Sequence, residues 1–514
     1  MLSRWCALRV GLSAAVLAFL GGCASLAPSD PFLESGAEPV AECARWYQAL
    51  DRETESAGVR DAQYARVDGF PYLRVDRLHA ALRGRANSSE VALQAFGDAL
   101  LELDLASRRH EIRNLPRASL EALPGDDGRA GPAAVLRRTT ECGRLLRELA
   151  FAKPELRSAV LQAARVPDDY STVARLAGFY ALTRHALAGG VDRWESETRA
   201  AFAAYRTQPA DRKVLRYSAP AHTAHVPPVS RAEVAELLAR RDALGRPVLG
   251  ERDLARLAIA YAPQLEVETT ADYDRFGELA WARGRSVPTV DGSRLAVYVH
   301  PAYTLYGEGE EAPVLLQLVY TAWFPERPAR GAVDILAGAL DAVVWRVTLA
   351  PDGEPVLYDA MHACGCYHEF FPTPRARRKP APDPSEEWAF VPASLPRVRD
   401  GERPVVRLAT GTHAIAAVGV SDEESLVRYE LRPYDELRSL ERPEGAFRSV
   451  FGPDGLIAGT ERAERVLLWP AGVRSAGAMR QWGRHATAFV GRRHFDDADL
   501  VARRFTLVLQ GGAP

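Results

Sequence analysis

Two histidines and two cysteines fall at alternate positions in the segment Tyr358-Asp-Ala-Met-His362-Ala-Cys364-Gly-Cys366-Tyr-His368-Glu-Phe-Phe371. Imidazole and thiolate are ligands that Zn²⁺ prefers, so His362, Cys364, Cys366 and His368 are candidate metal ligands, with zinc the cofactor their chemistry suggests. Asp359 is placed to orient His362 from behind, as carboxylates do at metal sites. On a regular strand, however, His362 and His368 would stand roughly 20 Å apart at ~3.3 Å per residue, too far for one coordination sphere. A single site needs the chain to turn at Gly365. The same residues also suit a strained, easily reduced Cys364–Cys366 disulfide, with His362 or His368 favouring a thiolate. A third reading is plain packing of small thiols and satisfied core histidines. Neither a CxxC motif nor a zinc-finger spacing decides among the three.

A second polar cluster lies near the C-terminus, in Arg480, Trp482, Arg484, His485, Arg492, Arg493, His494, Asp496 and Asp497. Its arginines could line a groove for an anion, and His494 with Asp496 could supply a base or a ligand; solvated ion pairs around a helix start are the plainer reading. His485 and His494 join Asp359 as candidate supporting or ligand-binding residues. His300 is isolated in a strand-like run, and His222 and His225 flank a proline-rich loop. Walker, GxGxxG, GxSxG, HExxH and CxxCH motifs are absent. Lys153, Lys213 and Lys379 are the only lysines among 65 basic residues, and none has the apolar setting that Schiff-base chemistry needs.

The chain that must position these residues has 514 residues, 47% hydrophobic and 26% charged, with a formal net charge of −2. That balance excludes disorder and collagen-like repeats, and the interspersed acids leave no basic stripe for a phosphate backbone, so no nucleic-acid partner is expected. The first residues, MLSRWCALRVGLSAAVLAFLGGC, carry Arg4 and Arg9 ahead of an apolar run from Val10 to Leu20. That run is shorter than the ~20 residues of a membrane span and reads as a secretion signal.

Leu20-Gly21-Gly22-Cys23 resembles the lipobox of bacterial lipoproteins. The resemblance covers only the leader and implies cleavage before Cys23, acylation of Cys23, a short tether and a folded periplasmic body attached through its acyl chains. Ala24 and Ser25 follow the cysteine in place of the aspartate that retains such proteins at the inner membrane, so an outer-membrane location facing the periplasm is expected. Removing residues 1–22 changes the net charge from −2 to −4 and leaves Cys43, Cys142, Cys364 and Cys366 as thiols able to pair. In an oxidising compartment Cys43 with Cys142 is the expected disulfide, since both lie in helical sequence; two free thiols is the alternative.

The expected fold class is α+β. Residues 23–38 read as a lipidated tether and 39–262 as a mostly helical domain. Val40, Cys43, Tyr47 and Leu50 share one helical face there, as do Ala92, Phe96, Leu100 and Leu103. Ser230 with Glu233 predicts a capping box. Residues 263–514 read as a β-rich domain, with strand-like runs at 295–299, 314–323, 343–349, 405–408, 426–431, 466–469 and 505–509. Helical insertions are expected at 473–482 and 496–504, and the Pro/Arg-rich stretch 372–387 as an exposed loop. The run Tyr320, Trp323, Phe324 and Pro325, followed by Asp341 and His362, resembles metal-dependent β-sandwich necrosis-inducing proteins, but their compact His-Asp-Trp-Glu signature is absent and no residue is carried across.

Two functions are compatible with these features. One is an envelope lipoprotein with a binding or maintenance role toward a protein or small molecule. The other is a metal- or thiol-dependent enzyme, or a metal carrier, centred on residues 362–368.

Overall fold

The computed structural model describes residues 30–124, 131–207, 213–220, 227–307, 309, 311–423, 425 and 427–510. The leader, Cys23, most of the tether, His222 and His225 lie outside the described residues. The protein is α+β: a helical region precedes a strand-rich one. No helix among the described residues is long and apolar enough to cross a membrane.

Four long helices dominate the first half: α1 (Glu38–Ser56), α2 (Glu90–Asn114), α3 (Pro132–Ala152) and α4 (Tyr180–Thr207). Proline near the first turn starts α1 and α3, where a missing N–H costs no intrahelical bond, and the Ser89 side chain caps α2 by accepting from the Ala92 N–H. Val40, Tyr47 and Leu50 of α1 meet Phe96 and Leu100 of α2 in one core. Cys43 and Cys142 are joined, tying α1 to α3 with Cα atoms 5.0 Å apart. The capping box at Ser230 and Glu233 is present.

This core also holds charge. Arg74, on a hairpin of Ala65–Val67 with Phe70–Val75, binds Asp104 at 3.1 Å and Glu111 at 2.7 Å, and Arg108 binds Glu111 at 3.1 Å. All four side chains are fully buried, so each charge depends on its partners. The network continues across the molecule, because Arg438 binds Asp61 at 2.8 Å.

The strands form two main sheets. One contains β1 (Val214–Ser218), β2 (Gln264–Glu268), and, later in the chain, three further strands. The other is an antiparallel meander of β3 (Ala296–Leu305), β4 (Val314–Arg327), β5 (Gly338–Leu349), β6 (Pro355–His362) and β7 (Glu369–Pro372). The first sheet is completed by β8 (Arg403–Leu408), β9 (Ile415–Ser421) and β10 (Val427–Arg428), in the order β9-β8-β2-β1-β10, and β11 (Glu430–Pro433) pairs in parallel with β3 at the meander's edge. Alternation along β4 separates two cores. Leu316, Leu318, Tyr320 and Phe324 pack with Leu265 and Val406 of the first sheet, while Val319 and Trp323 pack on the opposite side with Met361 and Phe495.

Several local expectations differ from the structure. Val214–Ser218 is a strand inside the stretch read as helical, held by pairing with β2. Residues 473–482 form turns, with positive φ at Ser475 and Gly477, and in the 496–504 stretch only Leu500–Arg504 is helical. The apolar run at 466–469 is not a strand: Arg465–Leu468 is a helical turn, with Val466 and Leu467 facing solvent. Within 372–387, Arg375 and Ala376 are buried, because Ala376–Arg378 pairs with Phe505–Leu507 and Arg375 binds Asp352 at 2.7 Å.

Candidate functional site

β6 ends at His362 and β7 starts at Glu369, so the His/Cys motif is the connection between two antiparallel strands. The reversal is made at Gly365, with φ of +90°, and Tyr367, with φ of +60°. The Gly365 N–H donates to the His362 carbonyl at 2.8 Å, and the His362 N–H to the Cys366 carbonyl at 3.0 Å. A Cβ at residue 365 would lie 2.5 Å from the Ala486 carbonyl oxygen, so glycine is required by both conformation and space. The turn that a single site would require at Gly365 therefore exists, but it sends the two histidines to different carboxylates, and Asp359, expected behind His362, serves His368 instead.

His362 Nδ1 is 3.1 Å from Asp341 Oδ1 on β5, and His413 Nδ1 is 2.9 Å from Asp341 Oδ2. His413 also reaches the Tyr273 carbonyl at 3.1 Å and stacks on Phe324 at 3.9 Å. Burial opposes a charge on Asp341, yet His362 and His413 outweigh it and hold the carboxyl well below its ordinary range.

On the other side of the turn, His368 Nε2 is 2.9 Å from Asp359 Oδ2. Arg346 clamps the same carboxylate with both arms, at 2.9 and 2.5 Å. Asp359 is thereby kept below the usual carboxylate range despite its burial, so it accepts and Nε2 donates. Burial pushes His368 down to about 3. The ring is therefore neutral near pH 7, and its Nδ1 carries a lone pair. That atom is buried and has no hydrogen-bond partner among the described residues.

Cys364 and Cys366 are buried free thiols. A hydrogen bond from Cys364, then burial, raise the Cys366 thiol well above its ordinary value, which leaves it protonated and a poor nucleophile. His485 contacts the Ala363 carbonyl at 3.2 Å and is pushed down to about 3 by burial. His300 is likewise about 3 and lies between Tyr434 and Trp482. Among the described residues no group of three or more His, Cys, Asp or Glu side chains is placed to hold a metal ion, so the motif offers zinc no converging ligand set there.

The C-terminal arginines are likewise engaged by the protein itself. Arg480 donates to the carbonyls of Cys364 and Ser475, and Arg492 pairs with Asp168. His494 faces Asp497 and Asp168, each at 3.4 Å, while Asp496 binds Arg77 at 3.2 Å. Burial disfavours the imidazolium, but Asp168 and Asp497 outweigh it and raise His494 to about 9. The stabilisation from this ion cluster is complete below the unfolded histidine value of ~6.5 and is lost as pH rises through about 9. Thermal melts at pH 6 and pH 10 should therefore converge in His494→Asn relative to the unmutated chain, removing about 2–3 kcal/mol of pH-dependent stability. An unchanged difference between the two pH values would refute this assignment.

Beside the turn lies a cavity of about 250 Å³. Leu187, Val191 and Trp194 of α4 roof it, and Cys366, Tyr367 and His368 form one wall. Trp194 packs against Tyr367 at 5.5 Å and Phe390 at 4.9 Å. Glu387, Glu464, Phe489 and Arg493 also line it. A larger cleft of about 840 Å³, with Arg113, Trp281 and Arg448 among its walls, contains none of the motif's residues. The smaller cavity is the better candidate site, because Cys366, Tyr367 and His368 of the motif line it.

Sequence reasoning reached Asp359, His362, Cys366 and His368 through their spacing. It missed His413, Trp194, Glu387 and Glu464, which carry no motif and join the motif's surroundings only through folding. Compared with known proteins, the chain matches no family model, no curated protein and no solved structure.

Proposed function

We propose that the protein is a lipid-anchored envelope protein, acylated at Cys23 and facing the periplasm, whose body binds a small molecule in the cavity beneath α4 without covalent chemistry. The observation that carries the binding role is the cavity of about 250 Å³ that Cys366, Tyr367 and His368 of the motif line together with Trp194 of α4. The basic start, apolar core and lipobox-like ending of residues 1–23 support the anchor. The alternative, an enzyme or metal carrier on residues 362–368, meets a Cys366 thiol held well above its ordinary range and no ligand set among the described residues.

The binding role is tested by screening small molecules for thermal stabilisation of the full acylated chain, alongside Val191→Trp, which fills the cavity. A stabilising ligand should lose its effect in the variant; equal stabilisation of both proteins would reject the site. Metal analysis of the same preparations covers the alternative, which stoichiometric metal lost in Cys364→Ser would favour. Separately, Cys23→Ser should abolish acylation and move the protein out of the membrane fraction, and retention in that fraction would reject the anchor.

A further inference from the structure

We infer that the larger cleft takes an organic oxyanion, a carboxylate or phosphate ester carried on an apolar body. This site is separate from the cavity beneath α4 and does not depend on the binding role proposed for it. At about 840 Å³ the cleft falls within the range of about 300–1,000 Å³ usual for small-molecule sites. The end of α2 and the start of α3 form one side, and Trp281 with residues 445–453 forms the other, so it lies where the helical and strand-rich regions meet.

Four of the five charged side chains that line it, among the described residues, are arginines. Arg117 is bound to Glu121, the one acid of that lining, at 2.7 Å, and Arg442 is bound to Glu444 at 2.8 Å. Arg113 and Arg448 are held by rings instead of acids. The Arg113 guanidinium lies 3.8 Å from the centre of the Phe447 ring and that of Arg448 lies 5.0 Å from the centre of the Trp281 ring, and both rings line the same cleft. Neither guanidinium makes a hydrogen bond or ion pair with the described residues.

Stacking occupies the face of a guanidinium and leaves its edge of N–H donors open, in the fork that matches a carboxylate or phosphate. Held in place beforehand by a ring, that fork loses less freedom when a ligand arrives. The amino end of α3, which Gly131 and Pro132 bring to the cleft, has no side-chain cap, and its partial positive charge adds to that of the arginines. A cationic ligand would meet these like charges and one acid already paired, and a neutral one would make no use of the two open forks. Leu120, Phe451 and Pro453 supply apolar wall for the body of the ligand.

The test is calorimetric titration of the full acylated chain with phenylacetate and phenyl phosphate, against the neutral phenylacetamide, phenethylammonium and inorganic phosphate. At least one of the two organic anions should bind tenfold or more tightly than phenylacetamide and than inorganic phosphate, and the preferred one identifies the head group. Arg113→Gln and Arg448→Gln should each weaken it about tenfold. Arg193→Gln, which removes an exposed arginine from α4, and Val191→Trp, which fills the smaller cavity, should leave it unchanged. Equal affinity for the amide, preference for the ammonium, inorganic phosphate binding as tightly as the organic anions, or no binding of either anion would overturn the assignment. So would an anion that ignores both cleft arginines or is lost in Val191→Trp, whereas failure of the smaller cavity in its own screen leaves this site standing.

Discussion

Replacing Asp359 by alanine should destabilise the protein by about 3–5 kcal/mol, the usual cost of leaving a buried charge without its partner. Arg346 is 1% exposed, and Asp359 supplies both acceptors for its guanidinium fork. Once the carboxylate is gone, the Phe495 carbonyl at 2.5 Å is the hydrogen-bond acceptor left to Arg346, with the Phe495 ring 3.8 Å beneath it. The His368 Nε2–H loses its acceptor in the same step. Asp359→Asn keeps an acceptor but removes the charge and should fall between the variant and the unmutated chain. Urea unfolding of the three proteins measures the order, and a loss below about 1 kcal/mol in Asp359→Ala would show that the pair contributes little beyond what its desolvation takes away.

A second large effect is expected from the Cys43–Cys142 bond, which closes a loop of 99 residues. Loop-closure entropy places the contribution of such a bond near ~4.7 kcal/mol, within a usual range of about 2–5. Cys43→Ser and Cys142→Ser should therefore each lower stability by a few kcal/mol. Treatment of the unmutated chain with a reductant should reproduce that loss and have no further effect on either variant. Cys364→Ser and Cys366→Ser, at thiols that are free in the structure, should keep the full reductant sensitivity. A chain whose unfolding midpoint ignores the reductant would contradict the role assigned to this bond.

The two predictions depend on different kinds of information. The α1 and α3 helices that carry Cys43 and Cys142 are amphipathic, so sequence places both cysteines on helices. Asp359 is visible in sequence as a carboxylate near a histidine, yet it serves His368 and Arg346, whereas His362 turns to Asp341. The reason is the reversal at Gly365: beyond it, the even-numbered side chains no longer share the face they would share on a straight strand.

Elements were legible where their patterns were long and strongly apolar. The runs within β4 and β5 are rich in β-branched and aromatic residues and are buried on both faces, and they read as strands. The short runs at 466–469 and 473–482 misled because a few apolar or small residues are compatible with a turn, a strand or a helix. In α2 the apolar period also concealed Asp104, Arg108 and Glu111, which are buried because Arg74 arrives from a separate hairpin.

By itself, then, the sequence determined the α+β class, the amphipathic helices, the long central strands and a concentration of ligand-type side chains at 362–368, because each depends on residues close together in the chain. Only the tertiary structure decided how those side chains are used. It brought Asp341 between His362 and His413, paired Asp359 with Arg346 and His368, and placed α4 with Trp194 over the turn. Those contacts link residues from 9 to 173 positions apart, across strand reversals and between separate elements, and local periodicity carries no record of which carboxylate, ring or cation will be packed against a given side chain.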